Sequence, residues 1–269
     1  MNVPSLPLWA LCLRQEAPGG SRGIGDTIRV AILLILAVTS STPAARANEP
    51  RPLFDGSSLA GWDVRGGEEK WWRAAEGMIV GGSLEENVPH NTFLSTKDSF
   101  GNFELRFKIR VRGAGGFVNS GIQIRSTRVP KSHEMSGYQV DAGPGWWGKL
   151  YDESRRNKVI AEAANLPAVN AAVKKGDWNE FRIRAEGARI RSWINGVPAL
   201  DYTEVEPNIA QDGRIAIQIH SGGMALVQVK DVRIEELPPT PGAPTWQQVG
   251  LPKAREPKQK SAPKKTPSP

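Results

Sequence analysis

A stretch of strict alternation, FELRFKIRV at residues 103–111, constrains the fold more than any other part of the chain. Every odd position holds an apolar side chain and every even position holds a charged one. Because successive side chains of a β-strand point to opposite faces, this pattern places one face on a core and the other in water. The segment therefore predicts a strand of an antiparallel sheet with one solvated face.

Further strands follow at short spacing, separated by turn residues. Residues 178–202 predict three strands divided by Glu-Gly and Asn-Gly turns, and Asn-Gly is the strongest two-residue hairpin signal. Residues 214–220 and 225–237 predict another strand pair around Ser-Gly-Gly. The helices that a TIM barrel or a doubly wound sheet requires after each strand are missing. We therefore expect an all-β fold, an antiparallel β-sandwich or jelly roll.

The N-terminal part carries the pattern of a secretory signal peptide. Residues 30–38, VAILLILAV, form a short apolar run that follows Arg29 and precedes the Ala-Arg-Ala site at residues 45–47. The run is shorter than the roughly 20 residues that a membrane-spanning helix needs. We expect residues 1–47, which include an over-extended N-terminus, to be removed by cleavage near Ala47. The protein would then be secreted or periplasmic, and the alternative is an uncleaved signal anchor.

The rest of the chain divides into a domain and a tail. Residues 48–237 are long enough for one domain with a sizeable core, whereas residues 238–269 are rich in Pro and Lys and predict a disordered tail. The first 47 residues carry +2 (four Arg against one Asp and one Glu), and the tail carries +5 (six Lys or Arg against one Glu). These two ends account for the formal net charge of +7, so the domain is neutral and gives no sign of nucleic-acid binding. Two interpretations of the basic tail stay open: a contact for an anionic surface, or a solvated segment without a partner.

Three predicted strands share an unusual polar face. Their apolar positions alternate with amides, a guanidinium, a carboxylate and an imidazole, whereas an ordinary wet face is rich in Lys, Glu and Thr. If these strands lie in one sheet, their polar groups form a platform suited to the hydroxyl groups of a sugar. An ordinary solvated face is the alternative. The residues are Gln123, Arg125, Gln139, Asp141, Gln218 and His220.

A glycine-bracketed loop, GPGWWG, follows the second of these strands. Trp146 and Trp147 can stack on the C–H face of a pyranose, although one of the two rings is expected to cap the edge of the sandwich instead. Tyr151, Asp152 and Glu153 come next and can supply a phenol and two carboxylates. The loop and the strand after it therefore predict the rim of a carbohydrate site, with Trp146 or Trp147 beside the polar platform.

Several motifs follow one another in order over nearly all of residues 51–237. They are LFDGSSLAGW, FGNFELRFKIR, NSGIQIRS, GYQVD, KLYDE, WNEFRIRAEGARIRSWING and GRIAIQIHSGG. In this order they resemble the 3-keto-disaccharide hydrolase domain family. The resemblance implies a concanavalin A-like sandwich, a secreted or periplasmic setting, and hydrolysis of glycosides whose sugar carries a ketone at C3. Many relatives carry Glu and Gln where this chain has Gln139 and Asp141, so catalytic roles do not transfer residue by residue.

The chemistry implied by this resemblance needs a base, an acid and a charge stabiliser. A ketone at C3 acidifies the proton on C2, and its removal lets the glycosidic oxygen leave from C1 before water adds. The expected base is Asp141 or His220, and the expected acid is Glu153 or Tyr151. Arg125 and Asn119 are expected to hold the oxyanion. The remaining residues expected to bind substrate are Gln123, Gln139, Trp146, Trp147, Asp152 and Gln218.

Other classes of site lack their motifs. The sequence has no HExxH, no EF-hand loop, no P-loop and no dinucleotide-binding glycine motif, so we expect no cofactor and no tightly specified metal site, with a divalent metal left open. His133 and Glu134 form an alternative acid–base pair that is more often solvated. A lectin-like carbohydrate-binding module without catalysis, and a domain that binds another protein, are the alternative functions.

Overall fold

The computed structural model describes residues 49–253, so the predicted signal peptide and residues 254–269 lie outside the described part. Two short α-helices, α1 (Leu166–Ala172) and α2 (Trp246–Val249), and a 3-10 helix (Glu69–Trp71) accompany fifteen strands. The strands are β1 (Arg51–Pro52), β2 (Trp62–Val64), β3 (Trp72–Ala75), β4 (Met78–Gly82), β5 (Thr92–Thr96), β6 (Phe103–Gly116), β7 (Ser120–Arg128), β8 (Met135–Ala142), β9 (Lys149–Glu153), β10 (Val159–Glu162), β11 (Asn179–Glu186), β12 (Arg189–Ile194), β13 (Val197–Thr203), β14 (Arg214–Ile219) and β15 (Gly223–Glu236).

The strands form two antiparallel sheets that pack as a sandwich, as the sequence predicted. The eight-stranded sheet has the order β13-β12-β11-β6-β15-β4-β3, and β1 adds to it by pairing with β15. The seven-stranded sheet has the order β10-β9-β8-β7-β14-β5-β2. Each sheet buries one face against the other, which is the usual way for two amphipathic sheets to bury their apolar sides.

The alternation at residues 103–111 produces the central strand of the larger sheet. The odd residues of β6 are buried in the core, and the register places Phe107 opposite Phe181 of β11. Their rings stack with centroids 5.3 Å apart. The hairpin predicted at Asn195-Gly196 also forms, with both residues at positive φ between β12 and β13.

The predicted pairing of residues 214–220 with 225–237 is wrong. Strand β14 lies in the seven-stranded sheet between β7 and β5, whereas β15 lies in the eight-stranded sheet between β6 and β4. The Ser-Gly-Gly segment therefore carries the chain from one sheet to the other. A glycine-rich connection of this length has the same local sequence whether it closes a hairpin or crosses between sheets.

The prediction of disorder from residue 238 does not hold for residues 238–253. The Trp246 indole N–H donates to the carbonyl of Arg125 over 3.0 Å, and the Trp246 backbone N–H donates to Asp212 over 2.8 Å. Helix α2 begins with a capping box in which Thr245 and Gln248 exchange side-chain and backbone hydrogen bonds. This segment therefore docks on the sandwich. Between residues 49 and 253, no helix is both long and apolar enough to cross a membrane.

Candidate active site

The three strands with unusual polar faces, β7, β8 and β14, lie in the seven-stranded sheet, with β9 beside β8. Their apolar side chains enter the core, so by alternation the polar ones share the outer face. This face carries a small pocket of about 80 Å³. It can receive part of one sugar ring rather than an oligosaccharide. The lining residues are Asn91, Phe117, Asn119, Gln139, Asp141, Trp146, Tyr151, Glu153 and His220.

A network of hydrogen-bonded amides forms the floor of this pocket. Gln139 accepts a hydrogen bond from Gln123 over 3.0 Å, and its own Nε2 donates to Asp141 over 2.9 Å and to Gln218 over 3.0 Å. Gln218 in turn donates to Glu153 over 3.2 Å. Gln123 and Gln218 are buried and do not line the pocket, so they orient the groups that do. A satisfied buried network of this kind fixes side-chain positions closely.

One glycine leaves the space that the Gln139 side chain of this network occupies. Gly121 of β7 pairs with Asp141 of β8, and a Cβ at Gly121 would lie 2.5 Å from Cγ of Gln139. The Gln139 side chain therefore lies over the position that a larger residue would fill. The absence of a side chain at residue 121 lets Gln139 reach both Asp141 and Gln218.

Asp141 is a carboxyl of the pocket whose pKa is strongly altered by its surroundings. Its pKa is raised to about 8, mainly by burial and also by the charge of Glu153, while the Gln139 hydrogen bond and Lys149 act in the opposite direction. Its Oδ2 is buried and has no hydrogen-bond partner within residues 49–253. At neutral pH this group is therefore mainly a protonated carboxyl, on a residue that lines the pocket, with one oxygen unpaired.

His220 presents an acceptor nitrogen to the same pocket. Its Nδ1 lies 2.6 Å from the carbonyl oxygen of Ser221. Because a carbonyl only accepts, Nδ1 must carry the hydrogen, which leaves Nε2 of the neutral ring as an acceptor. The backbone N–H of His220 donates to the carbonyl of Asn119 over 3.2 Å. The Asn119 side-chain Nδ2 is buried and has no partner in the described chain, and Asn119 lines the pocket.

Aromatic rings surround the opening. The Phe117 ring meets His220 edge-on at 4.7 Å and Trp146 at 5.9 Å, and the Trp146 ring meets Tyr151 at 6.3 Å. The ammonium group of Lys149 lies 5.1 Å from the centre of the Trp146 ring. These rings offer apolar surface beside the polar floor, which is the combination that a sugar ring requires.

Two lining residues were not singled out from the sequence. Phe117 lies just before the NSG motif in a glycine-rich segment, and its side chain is exposed. An aromatic residue in such a loop indicates the edge of a binding site. Asn91 accepts hydrogen bonds from the backbone and side chain of Ser221, which places it behind the turn that holds His220. No pattern in the sequence distinguishes Asn91 from other loop asparagines.

The expectation that Arg125 shares the pocket is wrong. A β-bulge interrupts β7 after Ile124, and Arg125 adopts a left-handed backbone with φ of 49°. The bulge breaks the alternation that placed Arg125 beside Gln123. Its buried guanidinium donates to the carbonyls of Gly101 and Gly187 and to Asn102. Burial lowers the pKa of Arg125 to about 10, so it remains charged at neutral pH as a structural group.

Trp147 and Asp152 also lie outside the pocket. Trp147 is buried in the core, with its ring 5.9 Å from that of Phe181, so it is the ring of the pair that caps the sandwich. The alternation of side chains along β9 turns Asp152 to the inner face of the sheet, where it is fully buried. It forms ion pairs with Arg155 at 2.8 Å and with Arg156 at 2.9 Å. Both residues therefore stabilise the fold, and neither lines the pocket that holds Trp146.

The His133-Glu134 pair lies next to the pocket without lining it. Glu134 accepts a long hydrogen bond of 3.4 Å from Asn91, and the His133 ring stacks on that of His90 at 4.1 Å. Burial and the neighbouring His90 keep the pKa of His133 below its usual value. Across residues 49–253, no group of three or more His, Cys, Asp or Glu side chains is arranged to hold a metal ion.

Comparison with known proteins agrees with this fold. A candidate glycosyl hydrolase from Parabacteroides distasonis ATCC 8503 is similar with a TM-score of 0.52 and 20% sequence identity, over 70% of this chain and 94% of that chain. A protein of unknown function with a galectin-like fold from Bacillus subtilis is similar with a TM-score of 0.54 and 10% identity, over 72% and 97% of the two chains. At these identities the likeness shows the fold alone. No curated protein matches the chain with significance.

A family model identifies the chain more specifically. The model of the 3-keto-alpha-glucoside-1,2-lyase-like domain matches residues 49–235, a range that includes every residue lining the pocket. This match confirms the resemblance seen in the sequence motifs, and it supports a carbohydrate-related function. The chain belongs to the family of 3-keto-alpha-glucoside-1,2-lyase-like domains.

Proposed function

We propose that this domain cleaves glycosides whose sugar carries a ketone at C3. The reaction proceeds by removal of the C2 proton, elimination of the glycosidic oxygen from C1, and addition of water to the resulting double bond. One observation carries the proposal: a single pocket combines a protonated carboxyl, Asp141, with a histidine, His220, whose Nε2 is an acceptor. The family match supports the same chemistry.

His220 is the proposed base. The carbonyl of Ser221 fixes the tautomer that leaves Nε2 unprotonated, and the backbone contact to Asn119 fixes the position of the ring. Removal of the C2 proton by Nε2 leaves the electron pair of the C–H bond in an enolate that extends to the C3 oxygen. A well-placed base of this kind contributes roughly 10²- to 10⁴-fold to rate.

Asp141 and Asn119 are the proposed stabilisers of the enolate oxygen. A carboxyl with a pKa of about 8 is mostly protonated at pH 7 and can donate a hydrogen bond to developing negative charge. The Asn119 amide has a buried N–H group without a partner in the described residues, and it can donate to the same oxygen. Asp141 therefore takes the role of holding the oxyanion that was expected of Arg125 from the sequence, since Arg125 is bonded to the carbonyl of Gly101 outside the pocket.

Glu153 or Tyr151 is the proposed acid. As the enolate collapses, the C1–O bond breaks and the leaving oxygen takes a proton from one of these two groups, both of which line the pocket. Water then adds across C1 and C2, its oxygen bonding to C1 and a proton returning to C2. The sum is hydrolysis, although no covalent sugar–enzyme intermediate forms. The aromatic rim of Phe117 and Trp146 holds the ring against the floor.

Product release tests this proposal. The purified protein is incubated with a 3-keto-glucoside and with the unmodified glucoside, and release of the aglycone is followed between pH 5 and 9. We expect release from the keto substrate only, with a loss of roughly 10³-fold in His220→Gln. His133→Gln is the matched control, because His133 lies beside the pocket without lining it, and its activity should stay within about twofold. Binding without turnover of either substrate would contradict the proposal and favour a lectin-like module.

We also propose that the protein works outside the cytoplasm. The signal-peptide pattern at residues 30–47 supports this placement. Sequencing the N-terminus of the protein recovered from its native host should give Asn48 as the first residue. A mature chain that still begins at Met1 would contradict it.

A further inference from the structure

The outer face of the eight-stranded sheet, on the side of the sandwich away from the candidate active site, carries a second concave surface. A groove of about 540 Å³ lies over β6, β11 and β15 and includes Lys108, Trp178 and Lys230 in its lining. A smaller groove of about 210 Å³ adjoins it at Glu180 and continues to Arg182. We call this joint surface the basic groove. Its charged and aromatic members are Arg106, Lys108, Lys174, Trp178, Glu180, Arg182, Trp193 and Lys230.

Like charges face each other across the strands of this surface. The register places Arg106 of β6 directly between Arg182 of β11 and Arg233 of β15. In the neighbouring row, Lys108 of β6 pairs in register with Lys230 of β15. Like charges in directly opposed positions destabilise a sheet, although Lys108 also lies opposite Glu180 and pairs with Asp231. The domain is neutral overall, which makes the concentration of cations on one face a property of the fold rather than of composition.

Two of these cations lack an acidic partner. Within residues 49–253, no carboxylate lies within salt-bridge distance of Arg182 or Lys230, whereas Lys108 and Arg106 of the same groove pair with Asp231 and Glu104. The Arg182 guanidinium instead lies 3.6 Å above the Trp193 ring, and its Nε is buried without a hydrogen-bond acceptor. Lys230 lies 4.4 Å from the centre of the Trp178 ring. The basic groove therefore holds positioned donors that no described group of this chain satisfies.

We propose that the basic groove binds an anionic glycan, a polysaccharide segment that carries carboxylate or sulfate groups. Arginine is suited to such groups because its planar fork makes paired hydrogen bonds to carboxylate and sulfate oxygens. The Trp178 and Trp193 rings lie against Lys230 and Arg182, and they position these cations for the acidic groups of the glycan. The charges complement an anionic ligand, and the recess gives room for sugar units. This proposal does not depend on the proposed function of the pocket on the other sheet.

Two other anionic partners fit this surface less well. Single-stranded nucleic acid binds by stacking its bases on open aromatic faces, but cations already lie over the Trp178 and Trp193 rings. A bilayer touches protruding groups, whereas these cations line a recess that also contains Glu180. An anionic glycan therefore agrees best with the shape and the charge together.

Calorimetry with a defined probe tests this proposal. The purified protein is titrated with an oligogalacturonate, with a neutral maltooligosaccharide of the same length, with vesicles that contain phosphatidylserine, and with a single-stranded oligonucleotide. The test variant is Arg182→Gln with Lys230→Gln. The control variant is Lys70→Gln with Arg73→Gln, which removes the same charge from two exposed positions, one in the 3-10 helix and one in the edge strand β3. The wild type and both variants carry the basic tail, so any contribution of the tail to binding is the same in all three.

We expect the wild-type protein to bind the oligogalacturonate, with an affinity that falls as salt rises. The test variant should bind roughly tenfold more weakly, and the control within about twofold. Thermal unfolding should show that the test variant remains folded, because it removes repulsion between opposed cations. Equal losses in the two variants, tighter binding to vesicles or oligonucleotide, or no binding of the oligogalacturonate at low salt would each overturn the proposal.

Discussion

Gln139 donates a hydrogen bond from Nε2 to Oδ1 of Asp141 over 2.9 Å, between two residues that point to the same face of one strand. The family resemblance implies a carboxyl at residue 139 and an amide at residue 141 in many relatives. Because the two positions are neighbours on one face, the exchanged order still presents one amide and one carboxyl to the pocket. The carboxyl here lies where burial holds it protonated.

The first prediction concerns the pH dependence of turnover. If protonated Asp141 stabilises the enolate, kcat/KM should fall above about pH 8 as the carboxyl ionises. Asp141→Asn should lose this alkaline limb and retain activity within about tenfold at pH 7, because its amide can still donate a hydrogen bond. Asp141→Ala should lose roughly 100-fold, since it removes the donor. Complete inactivity of Asp141→Asn would instead identify Asp141 as the base.

The second prediction concerns stability against pH. The folded pKa of Asp141, about 8, lies above its unfolded value, so the folded state binds the proton more tightly. Its stabilising contribution is full below about pH 4 and is lost as the pH rises towards 8. The free energy of unfolding of the wild type should therefore fall relative to Asp141→Asn between pH 5 and 8. The slope should be at most about 1.4 kcal/mol per pH unit in urea titrations. Parallel curves for the two proteins would show that the carboxyl is not perturbed.

The third prediction concerns the glycine beneath the amide network. In Gly121→Ala the new Cβ would meet the side chain of Gln139 and push it from Asp141 and Gln218. We expect at least a tenfold loss in kcat/KM with a modest loss of stability of roughly 1–3 kcal/mol. Gly61→Ala is the control, because its Cβ would have no neighbour within 4 Å. Equal activity of the two variants would show that the position of Gln139 does not matter for turnover.

The fourth prediction separates structure from catalysis at Arg125. Arg125→Ala removes three hydrogen bonds from a buried cation, to Gly101, Gly187 and Asn102, and should destabilise the fold by about 3 kcal/mol or more in urea denaturation. At a temperature where the variant remains folded, its kcat/KM should stay within about twofold of the wild type. A large loss of turnover with unchanged stability would return Arg125 to the active site.

Local alternation explains what the sequence predicted well. The period of two in β6 and on the outer faces of β7, β8 and β14 fixes which side chains share a surface, so most residues expected in the pocket do line it. The same parity rule, extended to β9, separates Asp152 from Tyr151 and Glu153, and the prediction that Asp152 binds substrate did not take it into account. By this rule Asp152 faces inward, where ion pairs with Arg155 and Arg156 stabilise its charge.

Features that depend on distant parts of the chain could not be predicted in this way. The bulge that turns Arg125 out of register has no marker in its own segment, because a non-glycine residue occupies the left-handed position. Whether β15 pairs with β14 or with β6 depends on the positions of strands that are distant in sequence, here β6 and β4. Docking of residues 238–253 was hidden by a Pro-rich composition, although Thr245 and Gln248 have the spacing of a capping box.

The fate of the hydrogen on C2 tests the central claim most directly. A 3-keto-glucoside with deuterium at C2 is treated with the purified enzyme, and the deuterium content of the released sugar and the rate of release are measured against the protiated substrate. Proton abstraction by His220 predicts slower release from the deuterated substrate and exchange of its deuterium with solvent. Cleavage at equal rates, with the deuterium retained at C2, would show that the glycosidic bond breaks without an enolate and would contradict the mechanism.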